Sequence, residues 1–459
     1  MSNKPLQTTK KEATPAFTFF YATSAYGPAA IMAAVAATFI SPFMTDTMLL
    51  PAASCSVIMF ISSLWDAVND PMMGVIADRT NTKWGRYRPW LIPAPVLLTI
   101  FSTLMWVNPN LPTMAKAVFF LIVYMGFGMT RTMYTMPHVA LLPACVKSDS
   151  ERNHVIHFGA ILNTAAFSIA SSFTPQMKAF FENVFRIDNG YVPMMLVFGL
   201  MSCVTFWGLF RTSEEKYVVQ SEEKANAKDI FRVLGEKELW PLLIVWLTFF
   251  IGYGLNFGTA VYYLMYYLEN PGLITPFFLM LTVTGFIAIT FLFPLMLKIF
   301  RTGQRVYIFT LIVSGILYLL LFFFGKYNVV LMLVLSGLVN LVTTPQLALM
   351  SILTIDAIDF MQWKTRRSSN GVIASIKGFA EKCGTTVVNT GILAILAVSG
   401  YIPNAIGQEP ASALFAINAT RFGIPVIFAV IQLICLKKNP AEVHRKEIEE
   451  MKAQEAAGE

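Results

Sequence analysis

Charge is scarce in this chain. Only 13% of its 459 residues are Asp, Glu, Lys or Arg, about half the share of a soluble domain, which excludes an ordinary water-solvated globule. Paired cysteines are lacking too. Cys55, Cys145, Cys203, Cys383 and Cys435 are scattered through apolar contexts, so they read as small packing residues, not as a disulfide frame or a metal site. The four histidines are equally dispersed, with no H-x-E or HExxH pattern. No nucleophile or metal constellation is present, so neither an enzyme nor a bound cofactor is expected. Residues 1–14 are polar, with Lys4, Lys10 and Lys11, and lack the form of a signal peptide. A sensor would carry a soluble output domain, whereas residues 437–459 offer only a short charged tail of helical character. The net charge of +7 does not point to nucleic acid, because the basic residues fall in loops between apolar runs.

Apolar sequence is abundant: 56% of residues are hydrophobic, in repeated runs near the ~20 residues that cross a bilayer as a helix. Twelve spans are read, among them Phe17–Ile40, Ser54–Ala77, Trp90–Val107, Ala117–Leu142, Leu239–Tyr263, Val329–Ile355 and Val372–Val398. The connections on one side, together with both tails, hold 26 of the 34 Lys and Arg residues. The opposite connections hold only Lys116, Lys178, Arg186 and Lys326. This asymmetry predicts that both termini are cytoplasmic. The long polar connection 211–238 divides the chain into six spans plus six: a tail over 1–14, a bundle over 15–210, a linker, a second bundle over 239–436 and a tail over 437–459. Basic loops at equivalent positions, DRTNTKWGRYR after span two and KIFRTGQR after span eight, suggest a degenerate repeat. The predicted fold is therefore all-α and membrane-integral, with the major-facilitator architecture of two six-helix bundles and a binding site at mid-membrane between them.

The most informative stretch is Trp65–Trp90, WDAVNDPMMGVIADRTNTKWGRYRPW. Asp66 and Asp70 are four apart and share a helix face. A carboxylate within a span costs at least ~2.5 kcal/mol on insertion scales, and two on one face repel unless something positive lies between them. A proton, a metal cation or a basic side chain would serve; a buried salt bridge between helices is the plainer reading. Helix 4 adds Arg131, Thr132 and Thr135 on neighbouring faces. Helix 11 adds Lys377, Glu381 and Lys382, the last expected to face the aspartates or a solute. Tyr26 in span one and Gln346 in span ten complete the candidate solute-facing set. Gly252, Gly254 and Gly258 are spaced for close packing or bending, packing being the commoner reason, and Tyr262, Tyr263, Tyr266 and Tyr267 look like an interfacial aromatic belt, with one or two of them at a sugar face as the minority reading. Three mixed-sign clusters suggest a gate: Asp78, Arg79, Arg86 and Arg88 after span two; Asp149, Glu151 and Arg152 after span four; and Asp356, Asp359, Lys364, Arg366 and Arg367 after span ten. Solvated loop charge is the competing explanation for each.

The run W-D-A-V-N-D-P-M-M-G, the later D-R … W-G-R-Y-R-P-W, the E-R after span four, and D-x-x-D-F-x-x-W-K-T-x-R with a following K-C-G together resemble the glycoside–pentoside–hexuronide:cation symporters, of which melibiose permease is the best known. The resemblance implies a cation site formed by Asp66 and Asp70 and completed by Asn69 and Thr132, an oxygen-rich set suited to a hard cation such as Na+. It also implies that Lys382 lies near the cation and the sugar. The permease's sugar-site pattern is not kept: the acids that hold sugar hydroxyls there fall on Ala29 and Thr135, the tryptophan that stacks on the sugar falls on Val139, and an arginine of the fifth span falls on Ala160. An arginine common three residues before the first aspartate is Ser63 here, and Arg131 stands where the permease has tyrosine.

These features imply a secondary transporter that couples Na+ or H+ to uptake of a sugar, glycoside or sugar acid, as a monomer in the cell membrane. Two roles stand for Arg131: binding an anionic solute through its planar fork, or pairing with Asp66 or Asp70 in place of the missing arginine. A lysolipid or small organic anion carrier of the same fold is the alternative solute class.

Overall fold

The computed structural model describes residues 12–217, 235–365 and 370–457. Arg366 and Arg367 lie outside the described residues, as do the side chains of Asp78 and Asp149. Every described element is helical; the only β feature among these residues is a single bridge between Thr82 and Gly85. Among the described residues, eleven helices are long and apolar enough to cross a membrane, and Arg88–Leu104 is a shorter apolar one. The chain separates into two compact units, one of Met1–Leu50 with Ile61–Ser221 and one of Pro51–Phe60 with Glu222–Glu459.

The first unit contains α1 (Pro15–Tyr26), α2 (Pro28–Pro42), most of α3 (Ala52–Arg79), α4 (Pro93–Leu104), α5 (Thr113–Cys145), α6 (Asp149–Phe185) and α7 (Tyr191–Thr212). What reads as one span over Phe17–Ile40 is broken at Gly27. Pro28 brings no N–H to the ladder, and a Cβ on Gly27 would sit 2.5 Å from the Thr23 carbonyl oxygen. Lipid chains are as apolar as leucine, so association here rests on close packing. Small residues supply it: α4 lies on α7 where a Cβ on Gly199 would meet Thr99 Cγ2 at 2.4 Å.

The second unit contains α8 (Trp240–Gly258), α9 (Ile274–Ile287), α10 (Phe293–Phe300), α11 (Gly303–Phe324), α12 (Val329–Thr365), α13 (Asn370–Ser399), α14 (Ala411–Asn418), α15 (Ile424–Leu436) and α16 (Arg445–Ala457). The glycines of α8 do pack: Cβ atoms on Gly254 and Gly258 would meet Val388 and Ile392 of α13 at 2.9 and 2.7 Å. The core gathers Trp246, Phe249, Tyr307, Met350 and Phe360.

The expected aromatic belt is not one. Tyr262, Tyr263 and Tyr266 are at most 1% exposed. Tyr262 and Tyr266 stack on each other and meet Tyr401 edge-on, and Tyr263 meets Phe422 edge-on. Tyr263 also faces Arg421, an in-span arginine that is itself 1% exposed. Three rings, of Tyr263, Phe277 and Phe422, lie 5.1–5.3 Å from its guanidinium carbon. Such contacts are worth about 0.5–2 kcal/mol each, which explains why aromatic residues gather there instead of at the lipid interface.

Candidate functional site

The candidate site in the first unit is built where α3 passes α5. Asp66, Asn69 and Asp70 occupy one face of α3, at the i, i+3 and i+4 positions that one helical turn brings together. On α5, Gly128 and Thr132 are likewise four apart. Thr132 Oγ1 donates to Asp70 Oδ1 at 2.6 Å. One turn earlier, Asp66 Oδ1 lies 2.6 Å from where a Cβ on Gly128 would stand. Any side chain at 128 would push this carboxylate away, so the glycine is what admits it.

Asn69 lies between the two aspartates in sequence and is wholly buried. Neither its amide nitrogen nor its amide oxygen has a hydrogen-bond partner. Leaving one such group unsatisfied costs about 1–3 kcal/mol, which makes Asn69 stand out among the buried polar residues of this unit. Its oxygen, the two carboxylates and the Thr132 hydroxyl, which meets Asp70, are all oxygen donors, the type a hard cation prefers.

Around this centre, Tyr124 of α5 has both Asp66 and Arg131 in its electrostatic neighbourhood. Sequence reading missed it, because a tyrosine in an apolar helix carries no signal of its own. Arg131 is exposed; its guanidinium lies 5.9 Å from the Phe127 ring and beside Tyr134. Thr135 is half-buried on the next turn. Tyr26 closes α1 at the Gly27 break. It meets the buried His138 ring edge-on at 5.7 Å and fits against Gly159 of α6. His138, also missed, stacks on Tyr21 at 3.9 Å, with Nε2 2.9 Å from the Tyr21 carbonyl oxygen.

In the second unit, Lys377 and Lys382 lie on α13, the former half-buried and the latter exposed. Gln346 is buried on α12 and donates from Nε2 to Thr310 Oγ1 at 3.1 Å. It lines a cleft of ≈ 430 Å³, counted with the open space it adjoins, together with Tyr253, Asn256, Ser314, Tyr318 and Gln432.

The charged clusters make attachments that spacing alone does not reveal. Backbone N–H groups of Arg86, Tyr87 and Arg88 donate to the Glu215 carboxylate at 2.8, 2.8 and 2.9 Å. Gly85 makes this cradle possible: its φ is +109°, and a Cβ there would stand 2.5 Å from Glu215 Oε1. The Arg88 side chain donates to the Phe210 carbonyl at 2.7 Å and covers the Phe210 ring, whereas Arg79 is exposed. Glu151 accepts from the Ala13 N–H at 2.7 Å, and Arg152 donates to the Lys147 carbonyl at 2.8 Å. Glu12 accepts from the Tyr217 hydroxyl and the Lys147 N–H, both at 2.6 Å. These two hydrogen bonds, the phenol's first, hold the Glu12 carboxyl below its ordinary range, and the phenol's bond to Glu12 pushes the Tyr217 phenol up. The chain entering α1 and the chain leaving α7 are thereby tied to the loops after α3 and α5. In the second unit, Lys364 pairs with Glu236 at 2.7 Å and with Glu238 at 3.3 Å, while Asp356 and Asp359 are half-buried on α12.

Comparison with known proteins agrees with this architecture. A family model described as MFS/sugar transport protein matches residues 21–438. The "Uncharacterized symporter YnaJ" of Bacillus subtilis (strain 168) is 27% identical over 406 residues, which is 87% of this chain and 86% of that protein. The "Isoprimeverose transporter" of Lactiplantibacillus pentosus is 25% identical over 432 residues, 92% of this chain and 88% of that protein. Among solved structures, the nucleoside transporter NupG aligns with a TM-score of 0.64 at 12% identity, covering 92% of this chain and 99% of that one; this likeness speaks for the fold alone. The chain is a multi-pass membrane transporter and not an enzyme, and it belongs to the MFS/sugar transport protein family, among the glycoside–pentoside–hexuronide:cation symporters.

Proposed function

We propose that this protein is a symporter that carries a sugar, glycoside or sugar acid together with Na+ or H+ by alternating access. Asp66, Asn69, Asp70 and Thr132 would hold the cation. The observation that carries this reading is Asn69, buried with both amide ends unsatisfied beside two carboxylates and a hydroxyl. A cation fits better than a neutral solute hydroxyl, because three of the four groups present lone pairs with negative charge or a carbonyl dipole. Names of relatives, an isoprimeverose transporter among them, support a glycoside-class solute. The excess of Lys and Arg on the connections that include 79–88 supports placing that end, and both termini, in the cytoplasm. A monomer suffices for this mechanism.

Arg131 favours an acidic solute as a second reading. It is exposed and lies three residues from Gly128, where a guanidinium can engage a carboxylate with two parallel bonds. Uptake of labelled neutral glycoside and of labelled hexuronide into proteoliposomes, under an imposed Na+ or H+ gradient, tests both readings. Gradient-driven accumulation that Asp70→Asn abolishes is expected. Full accumulation by that variant would overturn the coupling site, and uptake of hexuronide by Arg131→Ala as fast as by the wild type would remove the acidic reading.

A further inference from the structure

A buried positive charge in the second unit plays no part in the cation site. Arg421 sits in a π-helical turn, Ala419–Gly423, a distortion that recurs at functional positions. Its Nη1 donates to the Asn256 carbonyl at 2.9 Å and to Thr259 Oγ1 at 3.4 Å. Its Nε–H has no partner. Among the described residues no carboxylate pairs with it; the titratable groups acting on it are the phenols of Tyr263 and Tyr318, which are neutral near pH 7. Aromatic faces soften the charge without neutralising it, and a guanidinium cannot shed its proton to escape burial. Arg421 is not itself a lining residue of the nearby cleft, but Asn256, whose carbonyl it donates to, and Tyr318, which is also beside it, are; this cleft spans ≈ 430 Å³ including the open space it adjoins and reaches Gln346 and Gln432. Thr259, which also accepts from Nη1, and Thr420 line a smaller cleft of ≈ 220 Å³, open space included. The larger one is the polar one, and its Asn256 amide, Tyr318 hydroxyl and Gln346 amide are neutral hydrogen-bond donors.

We infer that this cleft is an anion site in which Asn256 and Tyr318 supply neutral donors and Arg421, which holds the Asn256 carbonyl from behind the lining, supplies the charge. The ligand is a small monovalent anion, a halide or a carboxylate, because one charge balances one guanidinium. The site lies wholly within the second unit, so it stands or falls independently of cation coupling at Asp66 and Asp70.

The test uses the full chain purified in detergent at pH 8 and constant ionic strength. Sodium chloride or sodium acetate replaces the sodium salt of the bulky sulfonate MES, and the thermal midpoint is followed against anion concentration. The expected result is a saturable rise of roughly 5 °C at a hundredfold excess over the apparent Kd. A response to acetate and not chloride assigns the site to a carboxylate, the reverse assigns it to a halide, and a response to both supports the shared chemistry. Arg421→Met should abolish the response, and Tyr318→Phe should move its midpoint about fivefold higher in anion concentration. The inference is overturned if the wild type does not respond, or if Arg421→Met responds as the wild type does. Should Arg421→Met not fold, an unshifted response in Tyr318→Phe overturns it.

Discussion

The Thr132 hydroxyl points its proton at Asp70, with 2.6 Å between the oxygens. This bond fixes one carboxylate of the α3 pair from a neighbouring helix. Hydrogen bonds to charged acceptors contribute about 1.5–3 kcal/mol. Thr132→Val keeps the shape and removes the bond. The half-saturating cation concentration for uptake should rise roughly tenfold to hundredfold, with folding preserved. Cation dependence of transport in proteoliposomes measures this, and an unchanged half-saturation would show that Thr132 has no part in the site.

Gly128 offers a sharper test, because it touches the site only through the space it leaves. A methyl group there would collide with Asp66 Oδ1. Overpacking of this kind costs about 1–3 kcal/mol, and here the carboxylate is the group that must move. Gly128→Ala should therefore weaken cation-driven uptake while leaving insertion and expression intact. Gly74→Ala on α3 is the control: nothing lies within 4 Å of its added Cβ, so it should be neutral or slightly stabilising. Equal behaviour of the two variants in uptake assays would contradict the role given to position 128.

Much of this site is legible in sequence, and what is illegible has physical causes. The spacing of Asp66 and Asp70 announces a shared face because helix geometry is local. That Gly128 admits Asp66 depends on how two helices far apart in the chain approach each other, and no local pattern encodes that. Glu215 is harder still: its partners are backbone N–H groups, which every residue but proline owns, so the cradle at Arg86–Arg88 leaves only Gly85 as a trace. The tyrosines of Tyr262–Tyr267 mislead for a different reason. Aromatic residues near the end of an apolar run suit a lipid interface and a cage around a buried arginine equally well, and only the position of Arg421 decides between them.

The Glu215 cradle holds the chain leaving α7 against the loop after α3. Three backbone donors on one carboxylate make charge-assisted bonds, and the half-buried setting protects them in part from water. Glu215→Ala should lower the thermal midpoint of the purified protein by roughly 5 °C, from a loss of about 2 kcal/mol. Gly85→Ala should do at least as much, since it meets both a positive φ and the carboxylate. Glu214→Ala, at an exposed neighbour, should leave the midpoint unmoved. A midpoint as insensitive to residue 215 as to residue 214 would mean the cradle does not contribute to stability.

The tie between Glu12 and Tyr217 should be pH-dependent in a definite direction. Hydrogen bonds from Tyr217 and Lys147 lower the Glu12 pKa in the folded protein below its ordinary 4.5. A depressed carboxyl stabilises the folded state while it is ionised, so the contribution is fully present above about pH 4.5 and fades as pH falls through the lowered folded-state value. Protonation turns the acceptor of two donors into a weaker one, and the segment before α1 is released. Tyr217→Phe removes the first-ranked cause of the shift and should bring the Glu12 pKa back towards 4.5. Hydrogen exchange at the Lys147 amide, which donates to Glu12 at 2.6 Å, reads the attachment directly once the acid dependence of intrinsic exchange is divided out. Protection should persist from pH 7 to about pH 5 in the wild type, then fall at lower pH; in Tyr217→Phe the fall should begin at higher pH. A protection profile that stays flat on acidification below the ordinary carboxyl range, or one identical in the two proteins, would show that the carboxylate does not hold the segment.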